Sequence, residues 1–136
     1  MVTLLGSIAI IAIPGYGQET TVKRVPPAPT TAISGRTLFR QYCAACHGID
    51  GKGNGPATSA LKESPGDLTQ LAKQNGGHFP EEKFTRVLEG EETVAAHGSR
   101  DMPVWGAVLN KLSSNPSMAQ TRLHALLDFV EGIQAK

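Results

Sequence analysis

Apolar residues recur at helical spacing in three stretches of the chain. In "SGRTLFRQYCAACHG" they fall at Leu38, Phe39, Tyr42 and Cys46, a pattern that predicts an amphipathic helix ended by Gly48 as its cap. "GGHFPEEKFTRVLEG" sets Pro80, Glu81 and Glu82 where a first helical turn favours them and closes at Gly90. In "NPSMAQTRLHALLDFVEGIQ", Asn115 is the expected cap and Pro116 fits the first turn, while Leu123, Leu126, Leu127, Val130 and Ile133 form one stripe. Between the first two helices "IDGKGNGPA" reads as loop, and "ATSALKES" as one or two helical turns. No run alternates apolar and polar residues long enough to predict a strand, so the expected fold is all-α.

The N-terminus has a different pattern. Residues 1–17 carry no charge, and all 13 Lys+Arg and 12 Asp+Glu follow Gly17. The apolar run "VTLLGSIAIIAI", followed by the small, turn-prone "PGYGQ", predicts a secretory signal peptide over 1–17, although Met1, Val2 and Thr3 supply no basic n-region. An uncleaved membrane anchor is the alternative, against which the run is short of the ~20 residues a spanning helix needs. "QETTVKRVPPAPTTAI" is rich in Pro and Thr and cannot form an apolar face, so residues 18–33 read as an extended linker.

Residues 34–136 then make one small domain, near the size at which a core of side chains alone is marginal. Aromatic residues are 5% of the chain and Gly occurs 15 times, so something besides side chains is expected to fill the middle. A formal charge of +1, with no basic run interleaved with aromatics, gives no reason to expect nucleic acid.

"CAACHG" holds the only two cysteines, Cys43 and Cys46, beside His47. A thioredoxin-like dithiol needs a strand before the motif and a helix after it, whereas here the motif ends a helix. A structural zinc site needs two further ligands at fixed spacing, and only His78, His97 and His124 remain. A disulfide across two residues removes little unfolded-state entropy and leaves His47 without a role. Covalent haem uses all three side chains: two thiols three apart add to two vinyl groups, and the following His binds the iron.

Haem also asks for a second axial ligand. Met102 lies in the loop "SRDMPVWG", flanked by Pro103 and Trp105, where a thioether can cover the opposite haem face. Met1 is the initiator and Met118 opens the last helix, where packing is the simpler role. His97, in the same loop as Met102, is the competing candidate for a bis-His centre.

With these residues the chain resembles a class I c-type cytochrome over almost all of 34–136, in "GRTLFRQYCAACHG", "GNGP", "MPVWG" and a C-terminal helix bearing Phe129. The resemblance implies a small cytochrome c-like helical domain wrapped around one thioether-linked haem c. It implies that the first and last helices cross where Gly35 permits close approach and Phe39 and Phe129 pack. It also gives Pro56 the part of the proline whose carbonyl accepts a hydrogen bond from the proximal histidine. Trp105 and Arg100 are candidates to bind haem propionates, with packing and a solvated surface place as their alternatives.

If both axial positions are filled, the iron has no open site, and the expected function is single-electron transfer with no catalytic residue. The expected partners are redox proteins of a respiratory chain, an oxidase, reductase or dehydrogenase, met in the periplasm or at the outer face of the membrane. The carrier would be diffusible, tethered through the linker, or one subunit of a membrane respiratory complex. The alternative is a haem enzyme or a gas or redox sensor with a labile sixth ligand, which carbon monoxide binding to the reduced protein would reveal.

Overall fold

The computed structural model describes residue 27 and residues 30–92, 102–113 and 115–136. Among these there are six α-helices and no strand: α1 (Gly35–Tyr42), α2 (Ala44–His47), α3 (Leu71–Gln74), α4 (Glu81–Glu89), α5 (Trp105–Leu112) and α6 (Pro116–Gly132). Single tight turns at Thr58–Ala60 and Leu68–Gln70 link α2 to α3. The signal-peptide reading of residues 1–17 and most of the linker lie outside the described residues.

The packing centres on α6, which lies against α1, α5 and α4. Its start is as the sequence predicts: the Asn115 side chain accepts a hydrogen bond from the Met118 N–H at 2.8 Å, and Pro116 occupies the first turn. Its buried face comprises Ala119, Arg122, Leu123, Leu126, Leu127 and Val130, while Ile133, expected in the stripe, is only half-buried. Leu38, Phe39 and Leu109 meet this face from α1 and α5. Burying each such side chain contributes about 1.5–3 kcal/mol.

The α1–α6 crossing depends on Gly35. A Cβ there would overlap the carbonyl of Ala125 and come within 2.9 Å of the Phe129 Cβ, so only glycine allows the helices this close. Four residues on, the rings of Phe39 and Phe129 pack with centroids 5.1 Å apart, and the Arg36 guanidinium lies 5.3 Å from the Phe129 centroid on the same ring.

The helix predicted through the cysteines divides at Cys43, whose φ of −109° takes it out of regular helix. Hydrogen bonding runs on across the break: the Cys43 N–H donates to the Phe39 carbonyl and the His47 N–H to that of Cys43. The motif therefore stays firmly joined to α1. α4 ends as predicted at Gly90, in a left-handed conformation that returns its N–H to Arg86 and Val87. "ATSALKES" yields one tight turn, and α5 is a helix that the sequence pattern does not predict, beginning at the last two residues of the "SRDMPVWG" loop.

Arg122 is buried, at 4% exposure, without a carboxylate partner among the described residues. Its guanidinium donates to the carbonyls of Thr30 (2.7 Å), Ala32 (3.0 Å) and Leu112 (3.1 Å) and to the Ser113 hydroxyl (2.8 Å). Residues 30–32 are thereby fastened to α6 and, through the same guanidinium, to the C-terminal end of α5.

Candidate functional site

A cavity of about 420 Å³ lies among these helices. α1 contributes Phe39 and Tyr42, the next turn Cys43, Cys46 and His47, α4 Phe84 and Val87, and α6 Leu126 and Val130. Met102, Pro103 and Trp105 form a further part of the wall. The lining is mainly apolar, and the volume is within the range of small-molecule and cofactor sites. Tyr42 and Trp105 stack in tilted fashion across one corner, with centroids 5.6 Å apart.

The donor set fits a covalently attached haem. Two thiols three residues apart, an imidazole and a thioether all reach one apolar space, and Met102 comes from a separate part of the chain. The competing readings of the cysteines fare less well. Burial, with a smaller contribution from neighbouring Cys46, pushes the Cys43 thiol up to about 12, the opposite of an activated redox thiol. No disulfide joins Cys43 to Cys46, and no three His, Cys, Asp or Glu gather at one point among the described residues.

His47 is buried, and its Nδ1 lies 3.3 Å from the carbonyl oxygen of Gly66. In the tautomer that carries its proton on Nδ1, that nitrogen donates to Gly66 and leaves the Nε2 lone pair for iron. Sequence reasoning gave this acceptor role to Pro56, and the structure corrects it. The glycine-rich segment after the motif folds back on α2 and caps it: the N–H groups of Gly53, Gly55 and Ala57 donate to the carbonyls of His47, Cys46 and Ala45. Gly55 presses so closely on Ala45 and Cys46 that a Cβ would collide with their backbone. Pro56 is thus carried to the outer side of α2, exposed and away from the cavity, beside Arg40, Ala45 and Ile49. The chain needs another ten residues to reach the imidazole, and it does so at Gly66 after the buried Pro65.

Of the other predicted site residues, Met102 is half-buried and Trp105 buried, and both line the cavity. Arg100 and His97 lie outside the described residues. His78 and His124 are exposed, and His124 Nδ1 lies 2.9 Å from the Gln120 carbonyl of its own helix. The sequence reading missed Gly66, for which no side-chain signal exists. It also missed Phe84, Val87 and Lys83 on the wall, which the three- and four-residue spacing within α4 would have placed together.

No curated protein and no solved structure matches the chain. Residues 30–115 match the family described as cytochrome c oxidase, cbb3-type, subunit III. The matched segment runs from the residues fastened by Arg122, through the cysteine motif and Met102, to the cap of α6. It covers well over half of the chain, which therefore belongs to this family, as a class I c-type cytochrome domain that carries covalently attached haem c and transfers electrons without being an enzyme.

Proposed function

We propose that the protein is a one-electron carrier with His47 and Met102 as axial ligands, serving a respiratory chain from the periplasm or the outer face of the cytoplasmic membrane. The observation that carries the reading is that Met102, 55 residues beyond His47, lines the same apolar cavity as Cys43, Cys46 and His47. Haem c, when bound, supplies the one-electron couple. Cys43 and Cys46 anchor it, and Gly66 orients His47. The Met102 thioether is a neutral, soft ligand that favours the reduced metal, raising the potential above that of a bis-His centre. Phe39, Tyr42, Trp105 and Val130 keep water off the redox centre, and an apolar surround disfavours the extra charge of the oxidised state.

The location rests on the uncharged N-terminal segment, with the Pro/Thr-rich linker giving reach to a membrane tether. Among the described residues no helix is long and apolar enough to cross a membrane. The expected partners are an oxidase, reductase or dehydrogenase of that chain.

The test is an absorption spectrum of the haem-loaded protein, oxidised and reduced, beside Met102→Ala and His97→Ala. Low-spin bands with a weak long-wavelength sulfur-to-iron band, lost only in Met102→Ala, are expected. If that band is missing from wild type and His97→Ala alone turns the iron high-spin, His97 is the ligand and Met102 a packing residue. The reduced wild-type protein should also fail to bind carbon monoxide.

A further inference from the structure

The wall of the cavity is not uniformly apolar. Among the described residues it carries two carboxylates, Glu63 and Asp67, and besides His47 one cation, Lys83. The acids belong to the segment that also presents Gly66 to His47, whereas Lys83 is on the first turn of α4. Asp67 is engaged at home: its Oδ1 accepts from the Thr69 N–H at 2.9 Å and from the Thr69 hydroxyl at 2.6 Å. Lys83 has no ion-pair or hydrogen-bond partner among the described residues, although Glu82 adjoins it in sequence and pairs with Arg86 instead. Gln74 and Asn75 line the cavity from the end of α3, one short turn before α4; both are neutral amides able to donate, although Asn75 Nδ2 already gives one hydrogen to the His78 carbonyl at 2.9 Å and has only its second to offer.

Haem c is itself an amphiphile: an apolar macrocycle whose two propionate side chains are carboxylates at neutral pH. A haem bound in this cavity would find like charge for these carboxylates on the 61–67 side and a cation with amide donors on the α3–α4 side. We propose that Lys83, supported by Gln74 and Asn75, receives a haem propionate, so that the α3–α4 turn is the carboxylate-binding end of the site. The inference rests on haem occupying the cavity and is independent of which residue is the sixth ligand. Lys83 then acts in two ways. It fixes the propionate edge at α4, opposite in chemistry to the thioether edge at Cys43 and Cys46. Its charge also favours the reduced haem, which carries one positive charge fewer.

The experiment is redox-coupled infrared difference spectroscopy on the full-length haem-loaded protein, with the haem propionate carboxyls labelled with carbon-13 to separate them from Asp and Glu. The midpoint potential is read in the same cell. Lys83→Gln should move the labelled carboxylate bands and lower the potential, and Lys83→Arg should restore both towards wild type. Lys73→Gln, which removes an equal charge from an exposed α3 position outside the cavity wall, should leave the labelled bands in place. Unchanged labelled bands in Lys83→Gln overturn the proposal whatever the potential does, and so do bands that move only in Glu63→Gln. The sulfur-to-iron band, recorded on each sample, reports separately on His47/Met102 ligation, so failure of either idea leaves the other readable.

Discussion

Replacing Gly35 and Gly132 by alanine applies one chemical change to two helical glycines and should have opposite effects. A Cβ at Gly132 meets nothing within 4 Å, so Gly132→Ala adds helix propensity alone, a gain of a few tenths of the ~1 kcal/mol of a helix interior because Gly132 is the last residue of α6. At Gly35 the same methyl overlaps the Ala125 carbonyl and approaches the Phe129 Cβ to 2.9 Å. These are backbone and Cβ atoms of α6, and no rotamer change moves them aside. Relief must come from separating α1 and α6, which draws Phe39, 1% exposed, away from the half-buried Phe129 that packs on it. Overpacking of this kind costs about 1–3 kcal/mol, and Gly35 is the first residue of α1, where the propensity gain is least. A net loss of about 2 kcal/mol corresponds to a fall in Tm of roughly 10 °C for a domain of this size. Thermal and denaturant unfolding of the reduced haem-loaded protein, followed by haem absorbance and far-ultraviolet dichroism, measures it. A Gly35→Ala protein as stable as wild type, or shifted in the same direction as Gly132→Ala, would refute the close-approach argument.

Two further substitutions test the frame. Arg122→Met keeps the buried stem but leaves the carbonyls of Thr30, Ala32 and Leu112 without their donor; a loss of about 3 kcal/mol is expected, together with faster proteolysis near residues 30–33, read by mass spectrometry of the fragments. Asn115→Ala removes the cap on Met118 and should cost about 1 kcal/mol in denaturant titration.

The parts legible in the sequence are those encoded locally. The cysteine motif is legible because attachment and proximal ligation need three side chains within five residues, and α6 is legible because cap, first-turn proline and stripe agree. α5 carries the same helical spacing, with Trp105, Leu109 and Leu112 at four- and three-residue intervals, but its first turn overlaps the "MPVWG" stretch, whose proline and glycine also read as loop. Arg122 has the opposite difficulty, since a charge reads as solvated although its phase, three after Ala119 and four before Leu126, is that of the buried face. The acceptor for His47 is a backbone carbonyl. That it is the carbonyl of Gly66 and not that of Pro56 depends on how the glycine segment hydrogen-bonds to α2, which no residue type reports.

The low aromatic content that first suggested a filled interior has an energetic counterpart in the structure. At about 24 cal/mol per Å³, a cavity of 420 Å³ would cost on the order of 10 kcal/mol if nothing occupied it. The cavity is partly open to water, so the true figure is lower, yet it approaches the whole stability of a domain this size, about 5–15 kcal/mol. Phe39, Leu126 and Val130 each pack against α1–α6 neighbours on one side and face the cavity on the other, so the helix crossing and the site share side chains and should fail together. Chain made without haem, or as Cys43→Ser with Cys46→Ser, is therefore expected to lose cooperative unfolding and most of its fixed near-ultraviolet dichroism while keeping part of its helix signal. A haem-free chain that unfolds cooperatively within a few degrees of the loaded protein would mean that α1, α5 and α6 hold the fold alone and that haem occupies a finished pocket without completing the core.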